Sequence, residues 1–168
     1  DGNLLISARH AWAIYKVNLR TGNIIWVLGG KHSTFKLKAA PGQVLDKAGE
    51  IFAYQHDPEA IGNDEYTVFD DESGGGNGLL PYSRVVTVRL DPATKVAILV
   101  KSTRQPEGLL ATEEGNAQTT RSGDLFVGWG AVPYISEFSP TGHLLFNAQL
   151  PGVDITYRAY RLPWHPAT

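Results

Sequence analysis

Gly62-Asn63-Asp64-Glu65-Tyr66-Thr67-Val68-Phe69 is a tight turn running straight into a β-rich strand, and it decides the fold because it recurs. The same pattern opens the chain at Gly2-Asn3-Leu4-Leu5-Ile6 and returns at Gly123-Asp124-Leu125-Phe126-Val127. Recurrence at a near-constant interval marks a repeated supersecondary unit. Each copy is followed by a second echo, at Arg20-Thr21-Gly22-Asn23, Asp91-Pro92-Ala93-Thr94 and Ser139-Pro140-Thr141-Gly142. These are hairpin turns, with proline presetting φ and glycine supplying positive φ.

Working outward from the repeats, short β-rich or alternating runs predict strands over Leu4–Ala8, Ala13–Asn18, Ile24–Leu28, Tyr54–Ala60, Glu65–Asp70, Arg84–Asp91 and Val96–Ser102. The series continues over Leu110–Thr119, Asp124–Gly128, Tyr134–Ser139, Leu144–Leu150 and Tyr157–Leu162. No stretch carries a helical apolar period with caps. The reading is therefore all-β: about three four-stranded antiparallel β-propeller blades in one partial domain over residues 1–168. The blades are 1–50, completed by the strand 157–162, then 51–104, then 105–156. Propeller rings need about 4–8 blades, so the ring is expected to be completed by a second copy, as a homodimer, or by missing N-terminal blades, or to leave open edges. Gly29–Glu50 and Asp71–Tyr82 read as long loops at the blade ends. Trp26, Trp129 and Phe138 are expected to be buried between blades.

The composition narrows the function classes. A chain of 168 residues with 42% hydrophobic and 19% charged residues can bury a core. A net charge of −2 without long like-charge runs disfavours nucleic acid and anionic membrane surfaces. Apolar runs as short as Val96–Val100 predict no membrane span. The absence of cysteine excludes disulfides and zinc–thiolate sites. Beginning at Asp1 with no methionine anywhere, the sequence reads as a processed or excised piece of a longer product.

The Gly-rich run Ser73-Gly74-Gly75-Gly76-Asn77-Gly78 lacks the following Gly-Lys-Ser/Thr of a phosphate loop. Asp70-Asp71 and Glu113-Glu114 are adjacent, so within strands they point to opposite faces and do not form a catalytic carboxylate pair. Of the five histidines, His143 in a hairpin turn and His165 near the C-terminus read as exposed. His10 follows Arg9 at a strand end, and His56 stands in Gln55-His56-Asp57, where a blade begins. First strands of blades line the central channel, where a polar triplet has no apolar neighbour to pack on. That reading makes His56 either a channel residue that acts on a ligand or half of a His–Asp pair holding a blade junction. Asn116 and Gln118 share a strand face and converge on the same axis, and Arg158 can reach it from the last strand. Histidine, amides and arginine together suit an oxyanion such as sulfate or phosphate.

Several segments, in order, carry a family resemblance: Leu4-Leu5-Ile6-Ser7-Ala8-Arg9, Gly22 to Lys31, Gln55-His56-Asp57, Phe69-Asp70, Ser83-Arg84, Gly115-Asn116-Ala117-Gln118, Phe126 to Gly130 and Tyr157-Arg158-Ala159-Tyr160-Arg161. Together they resemble the arylsulfotransferase-like β-propeller family, matching its later blades. The resemblance implies sulfuryl transfer between phenolic compounds through a channel histidine, without cofactor or metal. It implies His56, Asn116 and Arg84 as the catalytic set, with Arg9, His10, Gln118 and Arg158 as substrate-binding residues. The expected partner is a small phenolic or sulfate-ester ligand, in an extracellular or periplasmic setting. The sequence departs from the family where a further histidine is expected within Glu107–Thr119 and an arginine within Gly74–Gly78. The alternative is a non-catalytic propeller scaffold that binds a carbohydrate or protein ligand.

Overall fold

The computed structural model describes residues 1–152 and 154–163. Three sheets follow one another along the chain. The first is antiparallel and contains β1 (Leu4–Ala8), β2 (Ala13–Val17) and β3 (Ile24–Leu28), with a single 3₁₀ turn over Arg9–Ala11 between its first two strands. Next in the chain comes β4 (Lys36–Ala39), followed by β5 (His56–Gly62), β6 (Glu65–Asp70), β7 (Arg84–Asp91) and β8 (Val96–Arg104). These five form the second sheet in the order β4-β8-β7-β6-β5. The third sheet holds β9 (Asn116–Thr119), β10 (Leu125–Gly128), β11 (Tyr134–Phe138) and β12 (Leu144–Gln149), in plain sequential order.

Local chemistry explains the hairpins. Between β5 and β6 both turn residues, Asn63 and Asp64, take positive φ (52° and 57°), as the tight turn matching strand twist requires. Asparagine and aspartate tolerate that conformation better than most side chains.

Two apolar clusters join the three sheets. Ile14, Trp26 and Leu28 of the first sheet pack with Tyr66, Val68, Val86, Val88 and Leu99 of the second, and Phe35, Ile51 and Phe52 fill in from the connection. Phe69 and Val85, on the opposite face of the second sheet, pack with Ala117, Val127, Trp129 and Phe138 of the third. Alternation along β6 thus sends Tyr66 and Val68 one way and Phe69 the other, so the middle sheet is buried on both faces. Trp26, Trp129 and Phe138 are 8%, 0% and 5% exposed, and each sits at one of these junctions, as the sequence predicts.

Two details differ from the sequence reading. The segment Tyr157–Leu162 is not a strand and does not complete the first sheet; it lies against β9 of the third. Its alternating pattern is real, but its backbone bonds to side-chain amides instead of to a neighbouring strand. The Gly29–Glu50 stretch is not all loop: β4 leaves the first sheet and pairs in parallel with β8, from Lys36 opposite Val96 to Ala39 opposite Leu99. The first sheet consequently keeps three strands and the second gains a fifth. Among the described residues no helix is long and apolar enough to cross a membrane.

Candidate functional site

The sheets approach one another where β1 touches β5 and where β9 touches β5 and β6. His56 opens β5 and sits between two left-handed residues, Tyr54 (φ 56°) and Asp57 (φ 49°). Non-glycine residues in that conformation persist only where the surroundings hold them, and they cluster at working sites. The holding groups are identifiable. Gln55 is fully buried; its Nε2 donates to Ser7 Oγ (3.1 Å) and to the Ala13 carbonyl (3.0 Å), while Ser7 Oγ donates to the Gln55 carbonyl (2.9 Å). On the other side of His56, the Ala117 N–H donates to Asp57 Oδ2 (3.1 Å). The chain around His56 is therefore fastened to the first sheet before it and to the third sheet after it.

His56 Nδ1 lies 2.8 Å from Oδ2 of Asp71, whose side chain is fully buried, while the His56 side chain is 29% exposed. The ring N–H is not aimed along that line, and both Asp71 oxygens lack an aligned hydrogen bond. The contact is an electrostatic one at close range. Arg9 Nε is 4.0 Å from the same Oδ2. Arg9 is held by donating Nη2 to the Thr112 carbonyl (2.6 Å) and by stacking its guanidinium over the Tyr54 ring at 5.2 Å. Burial pushes the Asp71 carboxyl up to about 7, against the lowering pull of His56 and Arg9. A buried carboxyl balanced near neutrality beside a histidine is the kind of arrangement found where proton positions are used. Asp71 was not among the residues singled out from the sequence. Asp70 ends β6 and pairs with Arg84, while Asp71, just past the strand, meets His56.

The remaining predicted residues fall into separate places. Arg84 is fully buried in the second sheet, with Nε donating to Asp70 Oδ2 (2.9 Å), Nη2 to Glu72 Oε1 (3.0 Å) and the Ile51 carbonyl (2.8 Å), and Nη1 to the Val44 carbonyl (2.9 Å). Every arm of its guanidinium is engaged inside the protein. Burial and the neighbouring Asp70 push Glu72 up to about 10, and burial also raises Asp70. Asn116 is buried too, its amide donating to the Ala159 carbonyl (2.9 Å) and accepting from the Ala159 N–H (2.7 Å). Gln118 repeats the arrangement with the backbone of Arg161 (3.3 and 2.8 Å). Both amides are committed to the C-terminal segment, not to the space beside His56.

His10 is exposed; Arg9 Nη1 approaches its Nε2 at 3.5 Å, and its ring meets Tyr54 edge-on at 6.2 Å. Arg158 Nη1 is 3.5 Å from Asp57 Oδ1. The structure therefore gathers His56, Arg9 and His10 around Tyr54 and Asp71, and links Arg158 to the same strand through Asp57. His143 is exposed at its hairpin, and His165 lies outside the described residues.

With this geometry in place, comparison with known protein families is informative. The family model described as arylsulfotransferase (ASST) matches residues 1–150, and the chain belongs to that family. A comparison with curated proteins finds no match.

Proposed function

We propose that the three sheets are successive propeller blades and that the protein transfers a sulfuryl group between phenolic compounds, with His56 as the nucleophile. The observation that carries this reading is the His56–Asp71 contact at 2.8 Å beneath a partly exposed ring. With its proton on Nδ1, toward Asp71, the imidazole offers the Nε2 lone pair to an incoming sulfate ester. As the Nε2–S bond forms, the S–O bond to the donor phenol breaks and the phenolate leaves. The ring becomes cationic, and the Asp71 carboxylate stabilises it, as an orienting acid does for a catalytic histidine elsewhere. The acceptor phenol then attacks sulfur, the Nε2–S bond breaks and the neutral imidazole returns, with the acceptor's proton balancing the one taken up by the departing phenolate. Arg9, beside Asp71, moderates the charge of the pair.

The second reading, a non-catalytic scaffold that binds a carbohydrate or protein ligand, is favoured by one observation. Arg84, Asn116 and Gln118 are all occupied by protein groups. Transfer from p-nitrophenyl sulfate to phenol separates the two readings. His56→Ala is expected to abolish turnover. If His56 is only structural, no transfer is seen in the unaltered protein.

A further inference from the structure

Residues 156–161 bind the third sheet in an unusual way. Thr156 N–H donates to the Gly130 carbonyl (2.9 Å), and the Tyr157 carbonyl accepts from the Gly115 N–H (3.3 Å). The amides of Asn116 and Gln118, two positions apart on one face of β9, then each make two bonds to the backbone of alternate residues, Ala159 and Arg161. Side-chain amides here do what the backbone of a neighbouring strand usually does. Gly128 makes the close approach possible, since a Cβ at that position would stand 2.9 Å from the Cβ of Ala159. The result is a strap seated on the third sheet by six of its backbone groups and fixed in register by Asn116 and Gln118.

Alternation along the strap leaves Arg158 free to reach across to β5. Its Nη1 stands 3.5 Å from Asp57 Oδ1 and donates to the Tyr160 hydroxyl (3.2 Å). Asp57 is the left-handed residue directly after His56, at the irregularity in the β5–β6 pairing, and its side chain is 7% exposed. Its polar partners among the described residues are the Ala117 N–H on one oxygen and Arg158 on the other. We propose that Arg158 is a positioning residue for His56, acting through Asp57, so that the strap 156–161 is a working part of the site. The activity arm of this proposal rests on the reading of His56 as nucleophile. Without Arg158, the Asp57 carboxylate, 7% exposed, loses its cationic neighbour and is drawn toward water. The left-handed kink it stabilises then relaxes, and His56, one residue away, moves with it. The Arg158 side chain itself is 44% exposed, so the pair is screened and its loss registers in the geometry of His56 more than in global stability.

The test compares Arg158→Gln, Arg158→Lys and Arg161→Gln in the full chain. Arg161 pairs with Glu137 of the third sheet, so its substitution removes a strap arginine without touching β5. Transfer from p-nitrophenyl sulfate to phenol, the melting temperature and the NMR resonance of the His56 ring are measured in each. Arg158→Gln is expected to lower kcat about tenfold with little change in KM, as small misplacements of reacting groups do. It should shift the His56 ring resonance, and Arg158→Lys should restore most of both. Arg161→Gln should change neither. Equal behaviour of Arg158→Gln and Arg161→Gln, or a His56 resonance unmoved by Arg158→Gln, overturns the proposal. If the unaltered protein shows no transfer, the nucleophile reading fails, and the ring resonance alone decides the positioning role.

Discussion

Replacing Asp71 by asparagine is expected to make the protein more stable at neutral pH and to silence it at the same time. Burial raises the Asp71 carboxyl from an ordinary 3.8 to about 7. Between those values the folded protein binds the proton more tightly than the unfolded chain. The associated stability is fully present below pH 3.8 and is lost as the pH rises through about 7. An asparagine resembles the protonated acid in shape and does not titrate, so it escapes that loss. Linkage over this interval makes the gap between variant and wild type widen by about 2–3 kcal/mol from pH 5 to pH 8, in favour of the variant. At about 2–4 °C per kcal/mol for a chain of this size, the melting gap widens by about 5–10 °C. Glu72 titrates higher, at about 10, and is present in both proteins, so it cancels in the difference. Urea unfolding at pH 5, 6, 7 and 8 reads the gap directly. Sulfuryl transfer should meanwhile fall about 10²-fold or more, because the amide no longer fixes the ring proton on Nδ1 or stabilises the cationic ring. A gap that stays constant with pH, or a variant that falls behind as pH rises, would refute the reasoning.

Two further outcomes follow from the packing. Arg84→Ala is expected to destabilise the protein by about 3–5 kcal/mol in denaturant unfolding, because it strands Asp70 in the core; Arg84→Lys should recover little, since lysine cannot reproduce the four-acceptor geometry. Leu4, Ile6, Ile24 and Ile25 on the first sheet and Leu144, Leu145 and Phe146 on β12 are exposed, so the chain is expected to associate through its end sheets. Light scattering that shows a monomer at high concentration would contradict this.

The strands were readable because their turns carry unambiguous chemistry. Thr21-Gly22, Asn63-Asp64, Asp91-Pro92 and Thr141-Gly142 each interrupt an alternating run, and the observed hairpins fall at all of them. The fourth strand escaped notice because Lys36-Leu37-Lys38-Ala39 is short, largely exposed and at a sheet edge, where no apolar alternation is required. Tyr157–Arg161 was legible as an extended segment but not in its partner, because nothing in its own pattern says that Asn116 and Gln118 will receive it. At the site, His56 stood out as a polar residue at the start of a predicted blade. Arg84 did not betray its burial, since an arginine reads the same whether its acceptors are a ligand or two carbonyls and two acids. Asp71 was not legible as a partner of His56, because it lies just past the end of β6, in a connection whose path the strand pattern does not fix.

The fourth strand leaves one sheet's territory to run beside Val96–Leu99 of the next, and that path acts as a seam. The first and second sheets are not merely pressed together by side chains; the chain of one is stitched into the rim of the other. Peeling the first sheet away tears out the outermost ladder of the second, so amides in both open together and exchange with solvent as one unit. The same stitch covers the edge of β8, which would otherwise offer a row of free backbone groups to any passing strand.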